Sequence, residues 1–140
     1  MQLQNFTLYS DYAIESEARF FDLHNDFEFS HLLHDAKVGV VSLLWKCAGP
    51  LFEEKSSTVI LAFEGVRSFS YLAVDPDVSP QENLCVYCLG FVPEDIPDAI
   101  ETTGFTTPKS ATDYLVIQFM GGAKIRINAN KARCKLEENV

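Results

Sequence analysis

The three histidines of the chain, His24, His31 and His34, fall in one short stretch together with Asp22, Asp26 and Asp35. Imidazole and carboxylate side chains form ligand sets for zinc or iron, so His24, His31, His34 and Asp35 are the candidate ligands of a metal-binding protein or a metal-dependent enzyme, the alternative to a binding module. Their spacing weighs against a ready-made centre. On an extended chain His31 and His34 project to opposite faces, and no His-x-His step sets two rings side by side. The competing role is a polar strand entry in which His34 or Asp35 caps backbone groups.

Cys85 and Cys88 have the spacing of a zinc-ribbon pair, and Cys47 and Cys134 would complete four thiolates. Such pairs sit on glycine-bearing turns, whereas these two lie in the apolar run Leu84 to Val92, which reads as a strand. Buried, free thiols are the expected state, because a chain this long builds its own core without staples. A thioredoxin-like redox role would need a strand-to-helix context to depress a thiol pKa, and none is present. No glycine-rich phosphate loop, no G-x-S-x-G elbow and no H-E-x-x-H helix occurs. The sequence therefore weighs against an enzyme, assigns no catalytic residue and implies no cofactor.

The remaining chemistry is acidic. Asp75 and Asp77 sit in a proline-bearing loop, and Glu94, Asp95 and Asp98 form a second acidic connector, both expected at the surface. Net charge is −9, from 20 acidic against 11 basic residues. Such a field repels nucleic acid and anionic membranes and favours a protein partner with a basic surface. The imbalance is uneven: residues 1–119 sum to −12 and residues 120–140 to +3. An acidic bulk with one basic ribbon is expected, the ribbon being the solvated side of the last strands.

These groups depend on the elements that hold them. The chain of 140 residues is 47% hydrophobic with 11 Phe, which fits a single domain spanning residues 1–140. A chain this size buries about two-thirds of its unfolded surface. No apolar run approaches the roughly 20 residues of a membrane helix, and Met1 to Tyr12 lacks the pattern of a secretory signal, so a cytoplasmic protein is expected. The organising stretch is His31 to Trp45. Val38, Val40, Ser42 and Leu44 alternate with Gly39, Val41, Leu43 and Trp45, which predicts a central strand over Ala36 to Cys47 covered on both faces.

Around it, Met1 to Phe21 is expected to form a short strand or a helical turn, since Leu3, Phe6 and Leu8 share a face and Tyr12 to Phe21 has some helical spacing, and Phe20 to Leu33 alternates as a half-buried strand or extended arm. Thr58 to Phe63 and Val66 to Val74 predict two strands separated by Gly65, and Pro76 and Pro80 exclude a central strand between them and Leu84. A helical turn with Pro97 at its first position is expected in the acidic connector, followed by a surface loop over Thr102 to Asp113. Tyr114 to Met120 and Ala123 to Asn128, joined by Gly121-Gly122, predict a hairpin with Ile125 and Ile127 inward and Lys124, Arg126 and Asn128 outward. Asn130-Lys131 is expected to turn the chain into a last segment, Ala132 to Leu136. The sum is an all-β, mainly antiparallel domain of seven to nine strands: a sandwich or a curled sheet with one or two short helical turns. An uncapped edge strand would make a homodimer a further option.

Leu33-His34-Asp35-Ala36 at the head of a strand, followed by a strand ending Phe63-Glu64-Gly65-Val66, resembles small β-rich bacterial families. Among these are immunity proteins of polymorphic toxin systems and related uncharacterised families. The resemblance covers about residues 29–72. It implies a cytoplasmic, non-enzymatic protein that binds and blocks a cognate toxin.

Overall fold

The computed structural model describes residues 1–48, 57–72, 77, 79–96 and 104–138. Ten strands occur among them: β1 (Gln2–Gln4), β2 (Thr7–Leu8), β3 (Ala13–Ser16), β4 (Arg19–Asp22), β5 (Phe27–Asp35), β6 (Val40–Cys47), β7 (Ser57–Leu72), β8 (Val86–Val92), β9 (Tyr114–Phe119) and β10 (Lys124–Glu138). The chain is all-β, as its short, branched apolar segments predict. Strand order in the large sheet is β5-β6-β7-β10-β9-β8, entirely antiparallel along that path, and the sheet curls into a half-barrel. β1 adds to the same side of β10 as β9 and is parallel to it, with Leu3 opposite Ala132. β2, β3 and β4 form a small second sheet. No helix among the described residues is long and apolar enough to cross a membrane.

The spine is the β7–β10 pair, which runs from Ser57 opposite Glu138 to Leu72 opposite Lys124. Val59, Leu61 and Phe63 point inward from it, and each is fully buried. With Val41, Leu43 and Trp45 of β6 they join Leu89, Leu115, Ile117, Ile125 and Ile127 in one apolar cluster that also takes Phe6, Ile14, Phe21 and Leu23 from around the small sheet. Burying one such side chain is worth about 1.5–3 kcal/mol, so this cluster binds the two sheets together. Phe29 caps it, with ring centroids 5.4 Å from Trp45 and 5.1 Å from Phe119.

Several boundaries differ from the sequence reading. The central strand starts at Val40, because Ala36–Gly39 is the turn of a β5–β6 hairpin closed by Asp35 opposite Val40. Gly39 has φ +68°, a turn conformation rather than a strand interior. One face of β6 is buried, but Val40, Ser42 and Leu44 are only half-buried, so the strand is not covered on both sides. Of the two alternatives for Met1 to Phe21, short strands form and the helical turn does not. Ser16 pairs with Arg19 across Glu17-Ala18, whose φ values of 54° and 60° define a tight type I′ turn.

Phe20 to Leu33 is broken by a turn in which Asp22 Oδ1 accepts from the backbone N–H groups of His24 and Asn25, at 2.9 and 2.8 Å. The two strands expected either side of Gly65 are one, β7. Gly65 takes φ +62° next to a bulge at Arg67, which bends the ribbon without ending it. Asn130-Lys131 makes no turn, since β10 is continuous. β8 starts at Val86, preceded by a 3-10 turn over Pro80–Leu84 with Pro80 at its head. The Gly121-Gly122 hairpin forms as expected, with Gly122 at φ +93°. Pro97 lies outside the described residues.

Candidate functional site

The structure does not bring the candidate metal ligands together. His24 stands on the turn after β4, and its Nδ1 lies 2.6 Å from the Val86 carbonyl oxygen. His31 and His34 sit opposite Leu44 and Val41 of β6, on opposite faces of the sheet. His31 pairs with the Ser30 hydroxyl at 2.8 Å, and the His34 ring meets Phe69 edge-on at 4.9 Å. Asp35 caps the hairpin turn by accepting from the Lys37 N–H at 3.1 Å. Among the described residues no group of three or more His, Cys, Asp or Glu side chains converges on a point.

The cysteines are all free, and Cys88 and Cys134 are buried. Sequence reading did not foresee one pairing, Cys85 Sγ at 3.5 Å from His24 Nδ1. A carbonyl oxygen can only accept, so His24 Nδ1 carries a hydrogen toward Val86 and does not serve as a base for the thiol. The Cys85 S–H donates instead to the His24 carbonyl oxygen at 3.3 Å. Burial, then the charges of Asp22 and Glu28, push the Cys85 thiol up from its ordinary pKa. A protonated thiol beside an imidazole with its hydrogen committed is not a nucleophilic pair.

Of the acidic candidates, Asp75 and Asp98 lie outside the described residues, and Asp77 is exposed on a turn. Glu94 and Asp95 are exposed on the turn Pro93–Ile96, closed by the Ile96 N–H to the Pro93 carbonyl at 3.2 Å. Beneath them lies Arg126, expected to be a solvated base of β10 and in fact only 8% exposed. Its guanidinium rests over the Tyr114 ring at 4.2 Å and donates to the carbonyl oxygens of Ile96 and Glu94 at 2.8 and 3.3 Å. Tyr114 is fixed in turn by Ser68, with their hydroxyls 2.8 Å apart. A cavity of about 410 Å³ opens between this turn and the Ser68–Ser70 segment of β7.

Asn128, also expected at the surface, is buried and repeats the device one register step along. It accepts from Arg67 Nε at 2.8 Å and donates to the Thr112 carbonyl oxygen at 2.6 Å. Arg67, presented by its bulge, and the Met1 amine both donate to the Ala111 carbonyl oxygen, at 2.7 and 3.1 Å. Burial, followed by the Arg67 charge, lowers the pKa of that amine. The outward polar residues of β7 and β10 thus hold two surface loops down. Strand alternation gives their direction, but no local signal in the sequence says that loops fold back over them.

A second concavity, of about 330 Å³, is lined by Tyr12, His24, Asn25, Tyr87 and Met120. Tyr87 is the extra residue of a bulge, since Val86 faces Phe119 and Cys88 faces Gln118 on β9. Tyr87 is 59% exposed, with Met120 at 49% and Tyr12 at 41%. No protein-family model, no curated protein and no solved structure matches this chain.

Proposed function

We propose that the chain is a non-enzymatic, cytoplasmic protein-binding module that presents the Glu94–Asp95 turn to a partner with a basic surface, its specific form being neutralisation of a toxin. The observation that carries this reading is the guanidinium of Arg126 beneath the turn, bonded to the carbonyl oxygens of Ile96 and Glu94. These bonds fix the backbone of the turn that carries the two exposed carboxylates. A turn held in one conformation meets a partner without losing loop entropy on binding. The net charge of −9 adds long-range attraction toward a basic surface.

The test is recovery of a stoichiometric partner from lysate of the source cell at low and at high salt. The intact protein retains a partner at low salt and releases it at high salt, and Glu94→Gln with Asp95→Asn abolishes retention while the variant keeps its melting temperature. Absence of any stoichiometric partner at low salt defeats the binding-module reading. Undiminished retention by the double variant defeats the assignment to this turn.

A further inference from the structure

We propose that the groove between Tyr12 and Tyr87 is a recognition site for a cationic organic side chain, an arginine guanidinium or a lysine ammonium carried by a bound polypeptide. Among the described residues the lining is two exposed tyrosines, Met120, His24 and Asn25, without a lysine or arginine. Tyrosine faces attract cations, and they add contact area with few rotors to freeze. Methionine supplies a soft wall that adapts to an alkyl stem. The Tyr87 bulge takes that ring out of the β8 alternation and sets it in solvent, where its packing contributes little to the core.

The surroundings of the groove set the sign of the ligand. Asp22 is held against its wall by bonds from His24 and Asn25, including Asn25 Nδ2 to Oδ2 at 2.8 Å. Asp11 precedes Tyr12, and its carbonyl oxygen accepts from the Leu89 N–H at 2.7 Å. Glu82 adjoins the Met120 turn, its carbonyl oxygen accepting from the Gly121 N–H at 3.1 Å. The side chains of Asp11 and Glu82 belong to exposed residues. With the Asp22 carboxylate bonded to two of the lining residues and Asp11 and Glu82 exposed on adjoining backbone, an aromatic groove gains more from a cation than from an anion or a neutral alkyl chain.

This inference shares with the preceding reading only the basic character of the partner, and it is tested without one. Isotope-labelled protein is titrated with the amides of Nα-acetyl arginine, lysine, norleucine and glutamate, and amide chemical shifts are followed. Arginine and lysine amides move the resonances of Tyr12, His24, Asn25, Tyr87 and Met120 at low salt, and norleucine and glutamate amides bind at least fivefold more weakly. Tyr87→Leu and Tyr12→Leu, which keep an apolar side chain and remove the ring face, each weaken arginine amide binding about fivefold or more. Glu94→Gln with Asp95→Asn leaves these shifts in place, so the two surfaces are read separately. Equal shifts from norleucine amide, full affinity in both leucine variants, or no localised shift with any probe would each overturn the proposal.

Discussion

Asn5 does with its side chain what a fourth residue of β1 would do with its backbone. Its Nδ2 donates to the Cys134 carbonyl oxygen at 2.8 Å, and its Oδ1 accepts from the Cys134 N–H at 2.9 Å. The positive φ of 56°, which asparagine tolerates better than most residues, turns the amide back onto β10. Its own carbonyl oxygen meanwhile accepts from Ser16 Oγ at 2.7 Å, linking the two sheets. Asn5→Ala takes these partners from the Cys134 N–H and carbonyl oxygen at a part-buried sheet edge, so a loss of about 1–3 kcal/mol is expected in urea unfolding. A loss under about 0.5 kcal/mol would mean that water replaces the amide.

Cys134 itself carries a pH signature. Burial pushes its thiol from an ordinary 9.0 up to about 11, with Ser16 opposing and Glu17 adding to the rise. The unfolded chain releases this proton near its ordinary value, while the folded chain keeps it until about 11. The unfolded state therefore binds fewer protons between these values, and stability falls as pH rises from 9 to 11. Below pH 9 this group contributes no slope. Cys134→Ala should flatten the alkaline limb of the stability–pH curve relative to the parent, whatever its effect at neutral pH; parallel limbs would refute the assignment.

At the scale of elements, strand existence is legible and strand continuity is not. Val59, Leu61, Phe63 and their partners announce pleated ribbon through branching and alternation. A bulge, in contrast, looks in sequence like an end. Gly65 reads as a break because glycine commonly ends strands, yet β10 lies opposite and carries the ribbon past it. The requirement for glycine is physical: at φ +62° a Cβ would stand 2.5 Å from Nδ2 and 3.1 Å from Cβ of Asn130. Rotating the Asn130 side chain relieves the first contact but not the second. Gly65→Ala should then cost about 1–3 kcal/mol, from positive φ and crowding together. Adding Asn130→Gly removes the crowding alone, so the double variant should be about 0.5 kcal/mol or more better than the sum of the singles. Strict additivity would show that the backbone angle carries the whole effect.

For the molecule as a whole, composition and alternation give the all-β class, whereas curvature and loop cover come from contacts distant in sequence. β1 reaches β10 across nearly the full chain, and Arg126 and Asn128 become buried only because Pro93–Ile96 and Ala111–Thr112 close over them. The candidate surfaces share that origin, so Tyr87, Met120 and Tyr12 could not be grouped before folding was known. Charge, in contrast, is legible at once, and it has two consequences of opposite sign. A net −9 on a folded chain repels itself, and the Debye length shrinks from about 30 Å at 0.01 M salt to about 8 Å at 0.15 M. Ion pairs such as Arg133–Glu64 at 3.2 Å and Arg19–Glu138 at 3.8 Å are solvent-exposed and each is worth little, so screening such pairs costs less than screening the repulsion gains. The melting temperature should therefore rise over that salt range, while capture of a basic partner and of arginine amide weakens. A melting temperature that falls in step with binding would show that local ion pairs, rather than the acid excess, govern the electrostatics of this fold.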